Sequence, residues 1–329
     1  MPDDAPDDAP DDVDVLLLTA ETRARHRQRL ETYADRVRIV ELAPGSVVHA
    51  DDIAELTLAF FSHDAWPELT PNFMAVSLEA SSLRWLHTMS AGVDHPVFQT
   101  FVDRGVRVTT SSGASAEPIA ATVLMYLLAL SRQLPRLTIA QRRREWAPER
   151  YADLVGRELV IVGWGPIGQA VARLGVAIGM RPTIVRRAAR GDEPFPVRPI
   201  AELTDAVADA GALVLAVPLT EDTRGLVGAA TFASMPTDAL FVNVGRGELV
   251  DQAALTAALV EESIAGAGLD VFDPEPLPAD DPLWDAPNTI ITPHNSGTTD
   301  STARRVDDLF FDNLDRLLRG AELRNEIGR

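Results

Sequence analysis

The sequence contains no cysteine and no lysine, and only 6% of its 329 residues are aromatic. Without cysteine there are no disulfides, thiolate nucleophiles or thiolate metal ligands, and we expect no metal site. No apolar run reaches the roughly 20 residues that cross a bilayer, so we expect no membrane partner. The net charge of −19 disfavours binding to nucleic acid. The N-terminus has no basic segment followed by an apolar one, which indicates a cytoplasmic location.

The stretch from Glu158 to Arg187 has the features of a dinucleotide-binding unit. An apolar run over 159–162 is too short for a helix and predicts a buried parallel strand. Three glycines follow with G-x-G-x-x-G spacing, and then come a helical pattern and a second apolar strand. The glycines permit a tight turn and close packing, and the helix N-terminus offers N–H groups to phosphates. The predicted cofactor-binding residues of this turn are Gly163, Gly165, Pro166, Ile167 and Gly168.

Strand patterns alternate with helical patterns on both sides of this unit. Apolar segments such as 13–18 and 58–61 precede it, and others such as 213–217 and 240–244 follow it. This alternation predicts an α/β protein with parallel sheets, and the length suffices for two domains. The last helix, about 301–319, is amphipathic, and we expect it to pack on the first domain.

Three polar residues follow predicted strands, at the edge where open α/β sheets bind ligands. Arg246 lies in VNVGRGELVD, Glu275 in LDVFDPEPL and His294 in TPHNSG. A 2-oxo acid needs a cation for its carboxylate, which arginine can bind through two parallel hydrogen bonds. Reduction of its carbonyl group needs a proton donor, which suits histidine, and a carboxylate would hold the tautomer of that histidine. With a nicotinamide cofactor, these residues predict a 2-oxo-acid reductase.

Each of these residues also has a structural interpretation. Arg246 would then form an ion pair at a helix start, Glu275 would lie on the surface of a proline-rich loop, and His294 would be a hydrogen-bonded structural histidine. Two other histidines, His63 and His87, lie at the ends of first-domain strands. We interpret both as structural; the alternative is that they face the cleft, and His63 is the better candidate for it.

Six motifs in fixed order resemble the D-isomer-specific 2-hydroxyacid dehydrogenase family. They are the glycine turn, LHTMSAGVDHP (86–96), VPLTEDTRGLV (217–227), FVNVGRGELVDQAAL (241–255), GLDVFDPEPL (268–277) and TPHNSG (292–297). The resemblance covers nearly the whole chain after residue 12. It implies two doubly wound parallel-sheet domains, a Rossmann cofactor domain and a flavodoxin-like substrate domain, and a homodimer. It also implies that Arg246 binds the substrate and that His294, paired with Glu275, transfers the proton.

The resemblance assigns further residues. Backbone N–H groups would bind the substrate carboxylate at Ser90, Ala91, Gly92 and Val93. Asp270 would contact the nicotinamide end of the cofactor. Other cofactor-binding positions are Val217, Pro218, Thr223, Val244, Gly245 and Gly297. The expected organisation is a disordered acidic tail (1–12), a substrate domain (13–117 and 298–329) and a cofactor domain (118–297).

One departure from the family pattern concerns the cofactor. Members that bind NAD place an acidic residue after the second strand of the nucleotide domain, where it binds the ribose hydroxyls. Here Arg186 stands at that position, followed by Arg187. Two guanidinium groups would bind a 2′-phosphate, which an acidic residue would repel, so we predict NADP, with NADPH as the reductant. In the alternative interpretation both arginines face solvent.

The leading hypothesis is therefore NADPH-dependent reduction of a small 2-oxo acid, such as glyoxylate or hydroxypyruvate, to the D-2-hydroxy acid. Two other functions stay open. The family includes non-catalytic, dinucleotide-sensing corepressors with similar residues, and the fold also hosts phosphite dehydrogenases.

Overall fold

The chain divides into two compact units. The computed structural model describes residues 13–93, 95–191 and 193–327, and the tail predicted for residues 1–12 lies outside the described residues. The first unit contains the residues up to Ala114 and those from Asp300, and the second is Ser115–Thr299. The sequence places these boundaries after residues 117 and 297.

The first unit is built on five parallel strands in the order β2-β1-β3-β4-β5, which is that of flavodoxin-like folds. All six residues of the first strand, DVLLLT, are buried, as expected for a strand that is covered on both faces. The strands are β1 (Asp14–Thr19), β2 (Val37–Leu42), β3 (Leu58–Phe61), β4 (Trp85–Thr88) and β5 (Arg107–Thr110). The helices between them are α1 (Ala20–Arg25), α2 (Arg27–Glu31), α3 (Ala50–Glu55), α4 (Thr70–Glu79) and α5 (Pro96–Asp103).

The second unit contains seven parallel strands in the order β12-β11-β10-β9-β6-β7-β8. Counted within the unit and read from the β8 end, the order is 3-2-1-4-5-6-7. Its first six strands have the Rossmann arrangement, so the predicted fold class is confirmed. The strands are β6 (Glu158–Val162), β7 (Arg181–Arg186), β8 (Val197–Pro199), β9 (Ala210–Leu215), β10 (Leu240–Asn243), β11 (Gly266–Leu269) and β12 (Thr289–Ile291). The helices are α6 (Ala116–Ser131), α7 (Leu134–Arg143), α8 (Pro166–Ala177), α9 (Leu203–Ala206), α10 (Ala229–Ser234) and α11 (Gln252–Val260).

The structure differs from the sequence-based expectation in two elements. The arginine-rich stretch ETRARHRQRLETYAD (21–35) predicts one continuous helix. In the structure His26 has φ −113° and ψ 21°, and this non-helical residue separates α1 from α2. The edge strand β8 is not predicted, because its three residues are too few to show an alternating pattern.

The C-terminal helix α12 (Asp300–Leu318) returns the chain to the first sheet. Its residue Phe310 is fully buried. The Phe310 ring lies parallel to that of Phe60, with centroids 4.0 Å apart, and to that of Trp85, with centroids 5.5 Å apart. Phe60 belongs to β3 and Trp85 to β4, so α12 completes the core of the first unit.

Candidate active site

The glycine turn joins β6 to α8 at the point where the strand order of the second sheet reverses. A Cβ on Gly163 would lie 2.4 Å from the carbonyl oxygen of Ala216, and one on Gly168 would lie 2.2 Å from that of Gly163. Both glycines are therefore required by close backbone packing. A Cβ on Gly165, in contrast, would meet no heavy atom within 4 Å. The turn thus leaves open space at the N-terminus of α8, which fits the pyrophosphate of a dinucleotide.

Arg186 and Arg187 both have carboxylate partners at the end of β7. Arg186 Nη1 donates to Glu193 Oε1 at 2.6 Å, and the Arg186 side chain is 19% exposed. Arg187 Nη2 donates to Asp222 Oδ2 at 3.0 Å, and both side chains of this pair are more than 70% exposed. The interpretation of two solvent-facing arginines therefore fits Arg187 but not Arg186.

Arg246 follows β10 on a loop whose backbone is fixed by a buried amide. Asn243 Nδ2 donates to the Arg246 carbonyl oxygen at 2.8 Å, and Asn243 Oδ1 accepts from Gly245 N–H at 3.0 Å. The Arg246 guanidinium donates through Nη1 to the Gly245 carbonyl oxygen at 2.7 Å. A Cβ on Gly247 would lie 2.0 Å from the carbonyl oxygen of Phe272, so the loops after β10 and β11 are in close contact.

Glu275 and His294 form a hydrogen-bonded pair. His294 Nδ1 lies 2.8 Å from Glu275 Oε2, and the other carboxylate oxygen of Glu275 accepts from Phe272 N–H at 3.0 Å. The His294 side chain is 48% exposed. Because Nδ1 faces the carboxylate, Nε2 is the ring nitrogen that can exchange a proton with a substrate.

A buried carboxylate, Asp270, holds the backbone on which His294 stands. Asp270 is 1% exposed and accepts from the N–H groups of Asn295 and Ser296 at 3.0 and 3.1 Å, and from Thr292 Oγ1 at 2.5 Å. Its own carbonyl oxygen accepts from His294 N–H at 2.8 Å. His294 has φ 50°, a left-handed backbone conformation that residues other than glycine rarely adopt. These bonds stabilise that conformation, and the predicted contact of Asp270 with the nicotinamide stays a prediction.

Sequence reasoning missed Tyr126 as a member of this network. Its hydroxyl lies 2.5 Å from Thr292 Oγ1, and burial raises the pKa of Tyr126 to about 12. A Cβ on Gly268 would lie 2.4 Å from the Tyr126 ring, so β11 needs glycine there. The only sequence signal is a phenol within the otherwise apolar stretch ATVLMYLLAL of α6.

The other predicted cofactor positions lie at the carboxyl ends of β9, β10 and β12. Val217 and Pro218 follow β9, next to the glycine turn in the strand order, while Val244 and Gly245 follow β10. Thr223 is buried, and its hydroxyl donates to the Pro218 carbonyl oxygen at 2.9 Å, which gives this threonine a structural bond of its own.

A Cβ on Gly297 would lie 3.1 Å from the Ser115 Cβ, so this glycine allows the loop after β12 to lie close to the start of α6.

In the first unit, His87 supports the loop that contains Ser90. His87 is fully buried, with Nδ1 2.7 Å from Thr109 Oγ1 and Nε2 3.1 Å from Ser111 Oγ. Ser111 Oγ donates to the Thr88 carbonyl oxygen, and Ser111 N–H donates to the Ser90 carbonyl oxygen, both at 2.9 Å. Since the Ser111 proton is used, Nε2 donates to Ser111. Thr109 Oγ1 already accepts from Trp85 Nε1, so its hydroxyl proton can be donated to Nδ1, which fits a neutral ring. Burial lowers the pKa of His87 to about 3.

This buried histidine makes the first unit sensitive to acid. Between pH about 6.5, where an unfolded histidine titrates, and pH about 3, the unfolded chain binds a proton that native His87 does not. The free energy of unfolding should therefore fall by about 1.4 kcal/mol per pH unit, or about 2 kcal/mol between pH 6.5 and 5. In urea unfolding, the free energy of unfolding of His87→Gln should fall by about 2 kcal/mol less than that of the wild type between pH 6.5 and 5. His49→Gln, at an exposed histidine, serves as the control, and equal loss in His87→Gln and wild type contradicts the assignment.

His63 lies in a different environment from His87. Its Nε2 atom is buried without a hydrogen-bond partner among the described residues, and burial lowers the pKa of His63. The neighbouring Asp64 accepts from Thr22 Oγ1 at 2.8 Å and from Arg25 Nη2 at 3.0 Å, and from the hydroxyl of Thr19. Although burial alone would raise it, these hydrogen bonds lower the pKa of Asp64. Asp64 thereby ties the loop after β3 to α1.

This arrangement of strand ends and loops is found in a known family. Residues 124–296 match the family described as D-isomer specific 2-hydroxyacid dehydrogenase, NAD binding domain. The chain belongs to the D-isomer specific 2-hydroxyacid dehydrogenase family.

Two curated relatives and one solved structure are particularly informative. The chain is 33% identical over 307 residues to glyoxylate/hydroxypyruvate reductase B of Escherichia fergusonii, covering 89% of this chain and 91% of that protein. It is 32% identical over 256 residues to D-3-phosphoglycerate dehydrogenase of Methanocaldococcus jannaschii, covering 76% of this chain but only 48% of that protein. It also resembles a D-isomer specific 2-hydroxyacid dehydrogenase from Xanthobacter autotrophicus Py2 that was solved in complex with NADPH and MES. The two structures superpose with a TM-score of 0.78 and 28% sequence identity, and the match covers 96% of this chain and 98% of that one.

Within the described ranges of the chain, no helix is both long and apolar enough to cross a membrane. Within the same ranges, no group of three or more histidine, aspartate or glutamate side chains is arranged to hold a metal ion.

Proposed function

We propose that this protein reduces a small 2-oxo acid to the D-2-hydroxy acid with NADPH. The observation that carries the proposal is the hydrogen-bonded pair of His294 and Glu275. These residues follow β12 and β11, and Arg246 follows β10, the next strand in the sheet. The neighbouring glycine turn fits a dinucleotide. Relatives whose names describe glyoxylate and hydroxypyruvate reduction support a substrate of that size.

In this function the Arg246 guanidinium binds the substrate carboxylate and polarises its carbonyl oxygen. A bound nicotinamide supplies the hydride. His294 Nε2 donates the proton to the carbonyl oxygen, because Nδ1 is held by Glu275. Glu275 stabilises the protonated ring before transfer, and Asp270 fixes the loop from which His294 acts.

The preference for NADPH over NADH rests on Arg186 and Arg187 at the end of β7. Arg186 stands at the position where family members that bind NAD have an acidic residue for the ribose hydroxyls, and Arg187 follows it. The Xanthobacter relative, which was solved with NADPH, supports the same cofactor.

A screen of NADPH oxidation with 2-oxo acids tests the proposed activity. Glyoxylate, hydroxypyruvate, pyruvate, 2-oxobutyrate and phenylpyruvate cover the range of substrate sizes. We expect turnover with at least one of the smaller acids and a D-configured product. Tight NADPH binding without turnover of any of these acids would instead favour a dinucleotide-sensing protein.

We further propose that two copies of the chain associate through the second unit. Apolar side chains on and near α6 and α7 are 45–95% exposed, an unusual concentration for a monomer surface. They are Met125, Leu128, Leu134, Ile139 and Trp146. A second copy of this surface would bury them in a two-fold interface.

A charge placed in this apolar surface should dissociate the dimer. We expect Leu128→Glu combined with Ile139→Glu to halve the mass measured by light scattering, because two carboxylates would be desolvated in each interface half. Val47→Glu in the first unit, at a valine that is 84% exposed, should leave the mass unchanged. A wild-type monomer at micromolar concentration contradicts the proposal.

A further inference from the structure

Glu193 binds more donors than an ordinary surface carboxylate. Besides Arg186, its oxygens accept from Arg190 N–H at 2.9 Å and from Gly191 N–H at 2.8 Å. The Glu193 side chain is only 2% exposed. The hydrogen bond from Arg190 N–H, with those from Gly191 and the charge of Arg186, lowers the pKa of Glu193. A buried, charged and multiply bonded carboxylate therefore joins the end of β7 to the loop that follows it.

A second contact fixes the same loop to the glycine turn. The Phe195 ring packs edge-on against Trp164, with centroids 6.0 Å apart and an interplanar angle of 82°. Trp164 stands between the first two glycines of the turn. The loop is thus anchored at Glu193 to β7 and at Phe195 to the turn.

The two arginines differ in how they can meet a phosphate. The pair of Arg187 and Asp222 is exposed, so it is weak and can open when an anion binds. Arg186 is mostly buried, and leaving Glu193 would strand a buried carboxylate without its cation. Arg186 must therefore act where Glu193 holds it. The guanidinium carries five N–H donors, and the bond to Glu193 uses one of them.

We propose that Glu193 is a specificity-determining positioning residue, which holds the Arg186 guanidinium and the loop at 187–191 in the shape that receives the 2′-phosphate of NADPH. A fixed guanidinium loses less conformational entropy on binding than a mobile one. This role deepens the proposed preference for NADPH and rests on it.

Binding of two adenosine nucleotides to the full chain tests this role without turnover. Adenosine 2′,5′-bisphosphate carries the phosphate that Arg186 would contact, and adenosine 5′-monophosphate lacks it. By calorimetry, we expect Glu193→Gln to weaken binding of the bisphosphate about tenfold and binding of the monophosphate less than about twofold. The two nucleotides differ only in the 2′-phosphate, so the difference between these fold-changes reports the contact with that phosphate. In turnover, KM for NADPH should rise at constant kcat, with the NADH parameters unchanged.

The matched control is Glu202→Gln, which removes the same charge from a half-exposed carboxylate 3.6 Å from Arg198 and should bind both nucleotides as wild type does. Unchanged or tighter binding of the bisphosphate by Glu193→Gln overturns the positioning role, as does an equal loss for both nucleotides. If the wild type itself binds the bisphosphate no better than the monophosphate, the proposed preference for NADPH fails, whatever Glu193→Gln shows.

Discussion

Replacement of His294 by alanine should lower kcat/KM for 2-oxo-acid reduction by about 10²–10⁴-fold, the range over which a positioned general acid contributes. In the proposed mechanism Nε2 of His294 donates the proton, so the alanine variant lacks the general acid in the transition state. Steady-state NADPH oxidation measures the effect. Cofactor affinity, measured by NADPH fluorescence, should stay within about twofold, because His294 lies after β12 and the glycine turn after β6.

The control for this substitution is His49→Ala. His49 is an exposed histidine at the start of α3 with no side-chain hydrogen bond to the helix, so its loss should leave kcat/KM unchanged. A near-normal kcat in His294→Ala would contradict the assignment of the proton donor.

Glu275 should act only through His294. Glu275→Gln keeps a side chain that can hydrogen-bond to Nδ1 but removes the charge that stabilises the protonated ring, so its effect alone should be smaller than that of His294→Ala. In the His294→Ala background the same change should add little, because groups that act as a unit are not additive.

The sequence predicted those features that depend on local pattern and on strand direction. The three glycines and the flanking strands predicted the β6–α8 turn, because backbone packing there excludes a Cβ at Gly163 and Gly168. Arg246, Glu275 and His294 lie after adjacent parallel strands, and parallel strands end at one edge of a sheet. Their placement at one edge of the sheet therefore followed from topology, while their roles stay predictions.

The sequence could not predict contacts that arise only when distant loops meet. Glu193 is one of 49 acidic residues, and nothing in its neighbourhood distinguishes it from a solvated side chain. Tyr126 and Thr292 are 166 positions apart, and their bond depends on how α6 crosses β11 and β12. The residues that the sequence did not reveal are therefore those whose partners are set by tertiary packing and not by any periodic pattern.

The largest change in cofactor choice should follow from Arg186→Gln combined with Arg187→Gln. We expect kcat/KM with NADPH to fall about 10²-fold, while the value with NADH stays within about twofold. A hydrogen bond to a charged group contributes about 1.5–3 kcal/mol, and tenfold corresponds to about 1.4 kcal/mol, so two lost arginine contacts at the lower value account for a loss of about 10²-fold. Glutamine is chosen because its amide can still donate to Glu193 and Asp222, which limits the loss of loop structure.

Arg181→Gln provides the matched control, because Arg181 is an exposed arginine at the opposite end of the same strand, β7. The two variants separate a local phosphate contact from a general loss of positive charge in a chain of net charge −19. If the general charge mattered, Arg181→Gln would also weaken NADPH, which carries more negative charge than NADH. If the contact matters, only the double variant at the carboxyl end of β7 lowers kcat/KM with NADPH while leaving the value with NADH nearly unchanged. A wild type that uses NADH as well as NADPH would contradict the proposed cofactor, and Arg186 would then serve mainly to hold the loop through Glu193.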